Sequence, residues 1–289
     1  MSGPARLNGR THEDLRTEGI TPSGLAYTVQ GYGPPLLWLS GYVVSASSID
    51  GAVREFAQRF TCITFDHRGS GLSRAPWAPM TTVGMARDAL SLMRHLDVGS
   101  AHVHGSSLGG MVAQELAIRA PDRVRTLVLS GTTAGGVAAV SPPPRALLRG
   151  VWQAGKALPG QSCVGMRGAV CQGWAAATHD TTSRLHRVQA PTLVVHGDRD
   201  ELVPLANARR LAELIPGAEL RVVGGAGHLL QVESRAANEA IALWLDARRT
   251  VGARGRRATA LSVQDVALEP WRRGIRQSLP LRRALRILS

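Results

Sequence analysis

The chain has 289 residues, of which 44% are hydrophobic and 19% charged, with a formal net charge of +13. That is enough apolar material for a sizeable core and too little charge for disorder throughout, and no apolar run approaches the roughly 20 residues that cross a bilayer. Residues Met1 to Glu18 are polar and lack the apolar stretch of a secretion signal, which points to the cytoplasm.

After the turn signal Pro22-Ser23-Gly24, the run 25–30 reads as a strand, and short apolar runs follow at 36–39, 61–65, 101–104, 124–129, 192–196 and 220–223. Most are bounded by Gly, Pro or charged residues and are apolar without alternation, the pattern of strands buried on both faces. Helical patterns lie between them at 51–59, 84–96, 108–119 and 204–215, with a last one at 233–248. Strands alternating with helices predict a doubly wound α/β fold with a mostly parallel sheet.

The alternation stops between about 134 and 185. Gly135-Gly136, Pro142-Pro143-Pro144 and scattered Trp152, Met166 and Trp174 replace it, so residues 135–185 are read as an inserted cap. The expected organisation is an N-terminal segment 1–24, a core made of 25–134 and 186–248, the cap 135–185, and a basic extension 249–289. Residues 246–289 hold 11 arginines against Asp246, Asp265 and Glu269, whereas the rest of the chain is only mildly basic. Clustered arginine attracts phosphate, but Gly274 and Pro280 interrupt any long amphipathic helix and Trp271 is the one aromatic residue of the tail. The extension therefore reads as solvated or self-docking first, as a protein contact second, and as a nucleic-acid or membrane handle last. Cys62, Cys163 and Cys171 show neither metal-ligand spacing nor the even count of a disulfide framework.

The stretch Ala101-His102-Val103-His104-Gly105-Ser106-Ser107-Leu108-Gly109 carries the chemistry. A strand runs into Gly-x-Ser-x-Gly and a helix begins at once, which forces the central serine into a strained conformation with its hydroxyl projecting above the sheet; the flanking glycines remove side chains that would clash at the bend. Ser107 then sits at a helix N-terminus, where N–H groups favour developing negative charge. A serine hydroxyl is a poor nucleophile at neutral pH, so this reading requires a histidine base and an acid to orient it. Both lie downstream. The strand at 192–196 ends in a turn bearing Asp198 and Asp200, and Val222-Val223-Gly224-Gly225-Ala226-Gly227-His228 is a strand ending in a loop with a histidine. Parallel strands present their C-terminal ends on one edge, so all three side chains reach one crevice.

With these motifs the chain resembles the α/β-hydrolase superfamily over residues 25–245. Asp66-His67-Arg68-Gly69-Ser70-Gly71-Leu72-Ser73 is similar to the family's Asp-x-Arg-Gly-x-Gly-x-Ser turn, and Gly197, Asp200 and Pro204 fit its Gly-x-x-Asp-x-x-x-Pro pattern, which selects Asp200 over Asp198 as the acid. The resemblance implies a triad of Ser107, Asp200 and His228, with an oxyanion hole formed by the backbone N–H groups of Tyr42 and Leu108. Ser40 stands where relatives commonly carry histidine, a change that leaves the backbone donors in place. Ser106 also replaces a common histidine and is given no catalytic role.

Among the other histidines, His102, His104 and His196 read as hydrogen-bonded core residues, and His179 beside Asp180 as a hydrogen-bonding residue at the cap surface. Asp66 and Arg68 read as fixing their turn. The expected function is hydrolysis of a carboxylic ester or lactone of a small to medium organic molecule, without cofactor or metal. The motif spelling resembles the small esterase, enol-lactonase and cofactor-free haloperoxidase-like branch. Lyase, cyclase or acyl-transfer chemistry at the same site is the first alternative, and a non-catalytic ligand receptor the second.

Overall fold

The computed structural model describes residues 16–76, 78–141 and 165–250. Eight strands form one sheet: β1 (Arg16–Ile20), β2 (Ala26–Gln30), β3 (Pro35–Leu39), β4 (Thr61–Phe65), β5 (Ala101–Ser106), β6 (Val124–Ser130), β7 (Thr192–Gly197) and β8 (Glu219–Val223), in the order β1-β2-β4-β3-β5-β6-β7-β8. β1 and β2 pair antiparallel at one edge, and every pairing from β4 to β8 is parallel. The helices are α1 (Asp50–Ala57), α2 (Thr82–His95), α3 (Leu108–Arg119), α4 (Met166–Ala177), α5 (Leu205–Leu214), α6 (Leu230–Glu233) and α7 (Arg235–Asp246).

The expected doubly wound α/β architecture is what the chain forms. The run Pro35–Leu39 is buried throughout and its side chains alternate between two cores. Leu37 and Leu39 pack with Met85, Ala89 and Leu92 of α2 and with Val112 and Leu116 of α3. Leu36 and Trp38 pack on the opposite face with Val53 and Phe56 of α1 and Ile241 and Trp244 of α7. Helices on both faces leave the parallel strands β3 to β7 no wet side, which is why their sequence reads as nearly continuous apolar runs, whereas β8 at the sheet edge is mostly exposed.

Two helix starts have visible causes. Thr81 Oγ1 accepts from the Gly84 N–H at the start of α2, and Ser234 Oγ accepts from the Ala237 N–H at the start of α7. The helix expected at 233–248 is α7, and its Ser234 cap parts it from the short α6, which the sequence reading did not include. The strand β1 extends the sheet into residues 16–20, inside the segment that the sequence reading kept outside the core.

Residues 135–141 and 165–185 lead away from and back to the sheet, and an isolated antiparallel bridge joins Gly135 to Asp180. Trp152 and most of the basic extension, residues 251–289, lie outside the described residues. Arg248 and Arg249 are pinned at the extension's base, Arg248 over the Trp244 ring and on Glu219, Arg249 on the Arg59 carbonyl. Among the described residues no helix is long and apolar enough to cross a membrane.

Candidate active site

The sheet order reverses between β3 and β5, so the loops that follow these strands diverge to opposite sides and leave a crevice at their C-terminal ends. Ser107 sits in that crevice, directly after β5, with φ +53° and ψ −120°. Such a backbone costs a non-glycine residue about 1–3 kcal/mol and has to be held by its surroundings. The Ser107 N–H donates to the Ser130 carbonyl at 2.9 Å, and the Ser107 carbonyl accepts from Thr132 Oγ1 at 2.7 Å and from the Gly110 N–H at 2.9 Å. The flanking glycines are sterically required. A methyl group at Gly105 would lie 2.5 Å from the Gly109 carbonyl oxygen, and one at Gly109 would lie 2.1 Å from that of Leu39.

β7 and β8 bring the other two residues to the same edge. His228 Nδ1 lies 2.8 Å from Asp200 Oδ2, and His228 Nε2 lies 3.1 Å from Ser107 Oγ. A carboxylate only accepts, so Nδ1 carries the proton and Nε2 offers its lone pair to the serine hydroxyl. Asp200 is fully buried at its side chain, while the His228 ring keeps 16% exposure at the mouth of the crevice. Gly131 follows β6 beside the pair and has φ +54°, a left-handed conformation that glycine takes without strain. Asp198 takes a different role, accepting from the Gly225 N–H at 2.6 Å and so tying the histidine loop to the turn after β7.

Asp200 is held from several sides. Its Oδ1 accepts from the N–H groups of Leu202 and Val203 at 2.9 and 2.8 Å. His196 Nε2 donates to the Val203 carbonyl at 2.7 Å and stands 3.4 Å from Asp200 Oδ2, so this buried ring braces the turn that carries the acid. Sequence reasoning took His196 for a hydrogen-bonded core residue, which it is; its position four residues before Asp200 was the available signal for the bracing.

The two residues expected to supply oxyanion donors lie on either side of Ser107. Leu108 opens α3, and N–H groups in a first turn have no acceptor within their own helix. Tyr42 follows Gly41, whose backbone is packed so closely on Ser107 that a methyl group there would come within 3.3 Å of Ser107 Cβ. The Tyr42 hydroxyl turns away and donates to the Ala169 carbonyl of α4 at 3.2 Å. Ser40 fills the place of the family's histidine by donating to the Val44 carbonyl at 3.0 Å. Ser106 reaches Gln231 Oε1 at 3.3 Å.

The remaining candidates are structural in position. Asp66 accepts from the N–H groups of Ala46 and Leu72 at 2.7 and 2.8 Å, although burial pushes its carboxyl above the usual range. Arg68 grips Asp88 through two nitrogens at 2.8 and 2.9 Å. His102 and His104 bond Thr126 and Ser130, each a neighbour on β6. His179 is buried, not at the cap surface, and meets Thr82 Oγ1 at 3.0 Å. Sequence reasoning missed Gln172 altogether, because a lone glutamine among the small and apolar residues of α4 carries no pattern.

Comparison with known proteins bears on the family. The model for the alpha/beta hydrolase fold matches residues 34–161, and that for TAP-like protein matches residues 160–252. A poly(3-hydroxyalkanoate) depolymerase from Ectopseudomonas oleovorans is 31% identical over 224 residues, covering 68% of this chain and 79% of that protein. The 3-oxoadipate enol-lactonase 2 of Acinetobacter baylyi is 26% identical over 235 residues, covering 72% and 87% respectively. A crystal structure of a hydrolase from Pseudomonas aeruginosa superposes with a TM-score of 0.68 at 28% identity, covering 80% of this chain and 98% of that one. With its nucleophile-elbow geometry, its sheet order and these relatives, the chain belongs to the α/β-hydrolase superfamily.

Proposed function

We propose that the chain is a serine hydrolase that cleaves a carboxylic ester or lactone through an acyl-enzyme. The observation that carries the reading is the continuous relay from Asp200 Oδ2 to His228 to Ser107 Oγ, at 2.8 and 3.1 Å, with the serine on a strained elbow at a helix N-terminus. His228 Nε2 takes the hydroxyl proton as Ser107 Oγ attacks the carbonyl carbon. The negative charge then forming on the carbonyl oxygen is met by the N–H groups of Tyr42 and Leu108, each donor of this kind contributing about 10²–10³ in rate. The imidazolium returns its proton to the leaving alkoxide, and His228 then deprotonates a water that hydrolyses the acyl-serine. Asp200 keeps the imidazole in the productive tautomer and stabilises its charge. The cap segment contributes helix α4, whose Ala169 carbonyl accepts from the Tyr42 hydroxyl beside the crevice.

The relatives named for poly(3-hydroxyalkanoate) and for an enol-lactone direct the substrate reading to ester and lactone carbonyls. The test is a panel of p-nitrophenyl esters of graded acyl length, run on the wild type, Ser107→Ala, His228→Ala and the double variant. Each single variant loses about 10⁴-fold or more in kcat, and the double loses no more than either, because the residues act as one unit. A wild type no faster than Ser107→Ala refutes the reading.

A further inference from the structure

Gln172 lies on α4 and is fully buried. Its Oε1 accepts from the Val43 N–H at 2.8 Å, and its Nε2 donates to Ser70 Oγ at 2.7 Å and to the Arg68 carbonyl at 3.1 Å. The partners fix the amide's orientation, since an N–H needs an acceptor and a carbonyl needs a donor. One side chain therefore joins three segments far apart in sequence: the loop after β3, the turn after β4, and the cap helix.

Val43 makes this tie more than packing. It is a buried, β-branched residue at φ +53°, a conformation that such side chains rarely adopt because Cβ crowds the backbone. The Val44 N–H closes this turn on the Gly41 carbonyl at 3.3 Å, and without the bond from Gln172 the strained 42–43 peptide is freer to relax toward negative φ. The cap helix holds this loop at one other point as well: the Tyr42 hydroxyl donates to the Ala169 carbonyl at 3.2 Å. One turn before Gln172, α4 sits backbone to backbone on the turn after β4, since a methyl group at Gly69 would stand 2.4 Å from the Gly168 Cα.

We propose that Gln172 is a positioning residue for the oxyanion donor: through it, the cap helix holds the strained 42–43 backbone so that the Tyr42 N–H faces the carbonyl attacked by Ser107. The inference rests on the hydrolase reading. Gln172 acts on charge that is larger in the transition state than in the bound ester, so its effect belongs in kcat.

The experiment is steady-state kinetics on p-nitrophenyl butyrate with the wild type, Gln172→Met, the double variant Gln172→Met/Val43→Gly, and Ser107→Ala as the control. Gln172→Met lowers kcat by about 10- to 100-fold with KM within about threefold of wild type. Adding Val43→Gly lets the backbone hold positive φ without the tie and restores kcat by about fivefold or more. A residue that merely seats the cap would move KM and would not respond to a glycine at position 43. The proposal is overturned if Gln172→Met keeps kcat within about threefold, if its loss lies in KM, or if the glycine restores nothing. Should Gln172→Met fail to fold, Ser70→Ala carries the test: removing one acceptor of the amide lowers kcat about three- to tenfold at unchanged KM, and kcat within about twofold of wild type overturns the proposal. A wild type no faster than Ser107→Ala is a separate outcome, and it removes the hydrolase reading itself.

Discussion

The densest concentration of unusual chemistry outside the crevice is a set of buried histidines, and it makes the fold labile to acid. Burial pushes His104 down to about 3, and His67, His102 and His179 down to about 4, from an ordinary value of 6.5. Arg125 acts in the same direction on His102, as Arg184 does on His179, where Glu115 and Asp180 oppose it. In the folded chain these rings stay neutral to well below pH 5, whereas in the unfolded chain each takes up a proton near pH 6.5. Acid therefore favours unfolding: stability is fully present above pH 6.5 and is lost as the pH falls toward the folded values. At pH 5 each ring disfavours the fold by about 2 kcal/mol relative to pH 8, so the four together cost about 8 kcal/mol against a typical total of about 5–15. Asp50, Glu115 and Asp180, held below the usual carboxylate range, lose their contribution only at lower pH. Asp66, raised by burial, works in the opposite direction, but one carboxyl does not offset four imidazoles. Urea titrations at pH 8, 7, 6 and 5, analysed by linear extrapolation, measure the slope directly. A stability that changes by less than about 2 kcal/mol between pH 8 and pH 5 would refute the neutral-ring account.

Two further substitutions separate bracing from burial. His196→Phe keeps the ring's volume in β7 but removes the donor to the Val203 carbonyl, so the Asp200 turn loosens; kcat on a p-nitrophenyl ester falls about tenfold with little change in KM, and an unchanged kcat counts against the brace. Glu115→Gln leaves Arg184 and Arg119, now paired with it at 2.7 and 2.9 Å, without their buried carboxylate. Both guanidiniums keep solvent access, so the cost is about 2 kcal/mol, seen as a melting temperature lower by roughly 4–8 °C with kcat unaltered. A melting temperature within a degree of wild type would show the ion pairs to be neutral.

What the sequence made legible follows from how local each signal is. Gly105-Ser106-Ser107-Leu108-Gly109 spells out a bend whose sterics involve residues a few positions apart, so the elbow and its strain were readable before any coordinates. The strands β3 to β7 were readable because burial on both faces leaves no polar residue to interrupt the run. β1 was not: Arg16-Thr17-Glu18-Gly19-Ile20 lies at the sheet edge, half exposed, and its hydrogen bonds to β2 come from the backbone, which no side-chain pattern reports. Gln172 was silent for a different reason. Its partners Val43, Ser70 and Arg68 lie more than a hundred residues away along the chain, and only the docking of α4 brings them together. The one-turn helix α6 was silent as well: Leu230–Glu233 is too short to show a helical period, and the pattern at 233–248 corresponds to α7.

Strain is distributed unevenly, and its placement bears on function. Among the described residues three non-glycine positions have positive φ: Val43, Asp97 and Ser107. Asp97 closes the turn after α2, where a short polar side chain tolerates the left-handed region at little cost. The other two stand on opposite walls of the crevice, and each is held by hydrogen bonds from other elements, Ser107 by Ser130 and Thr132, Val43 by Gln172. A fold selected for stability alone has easy alternatives at both places, a glycine at 43 and an ordinary helix cap at 107. That both are occupied by residues ill suited to their backbone, each restrained from a neighbouring element, fits the proposed hydrolase, in which the Ser107 oxygen and the Tyr42 N–H are to be in position before the substrate arrives.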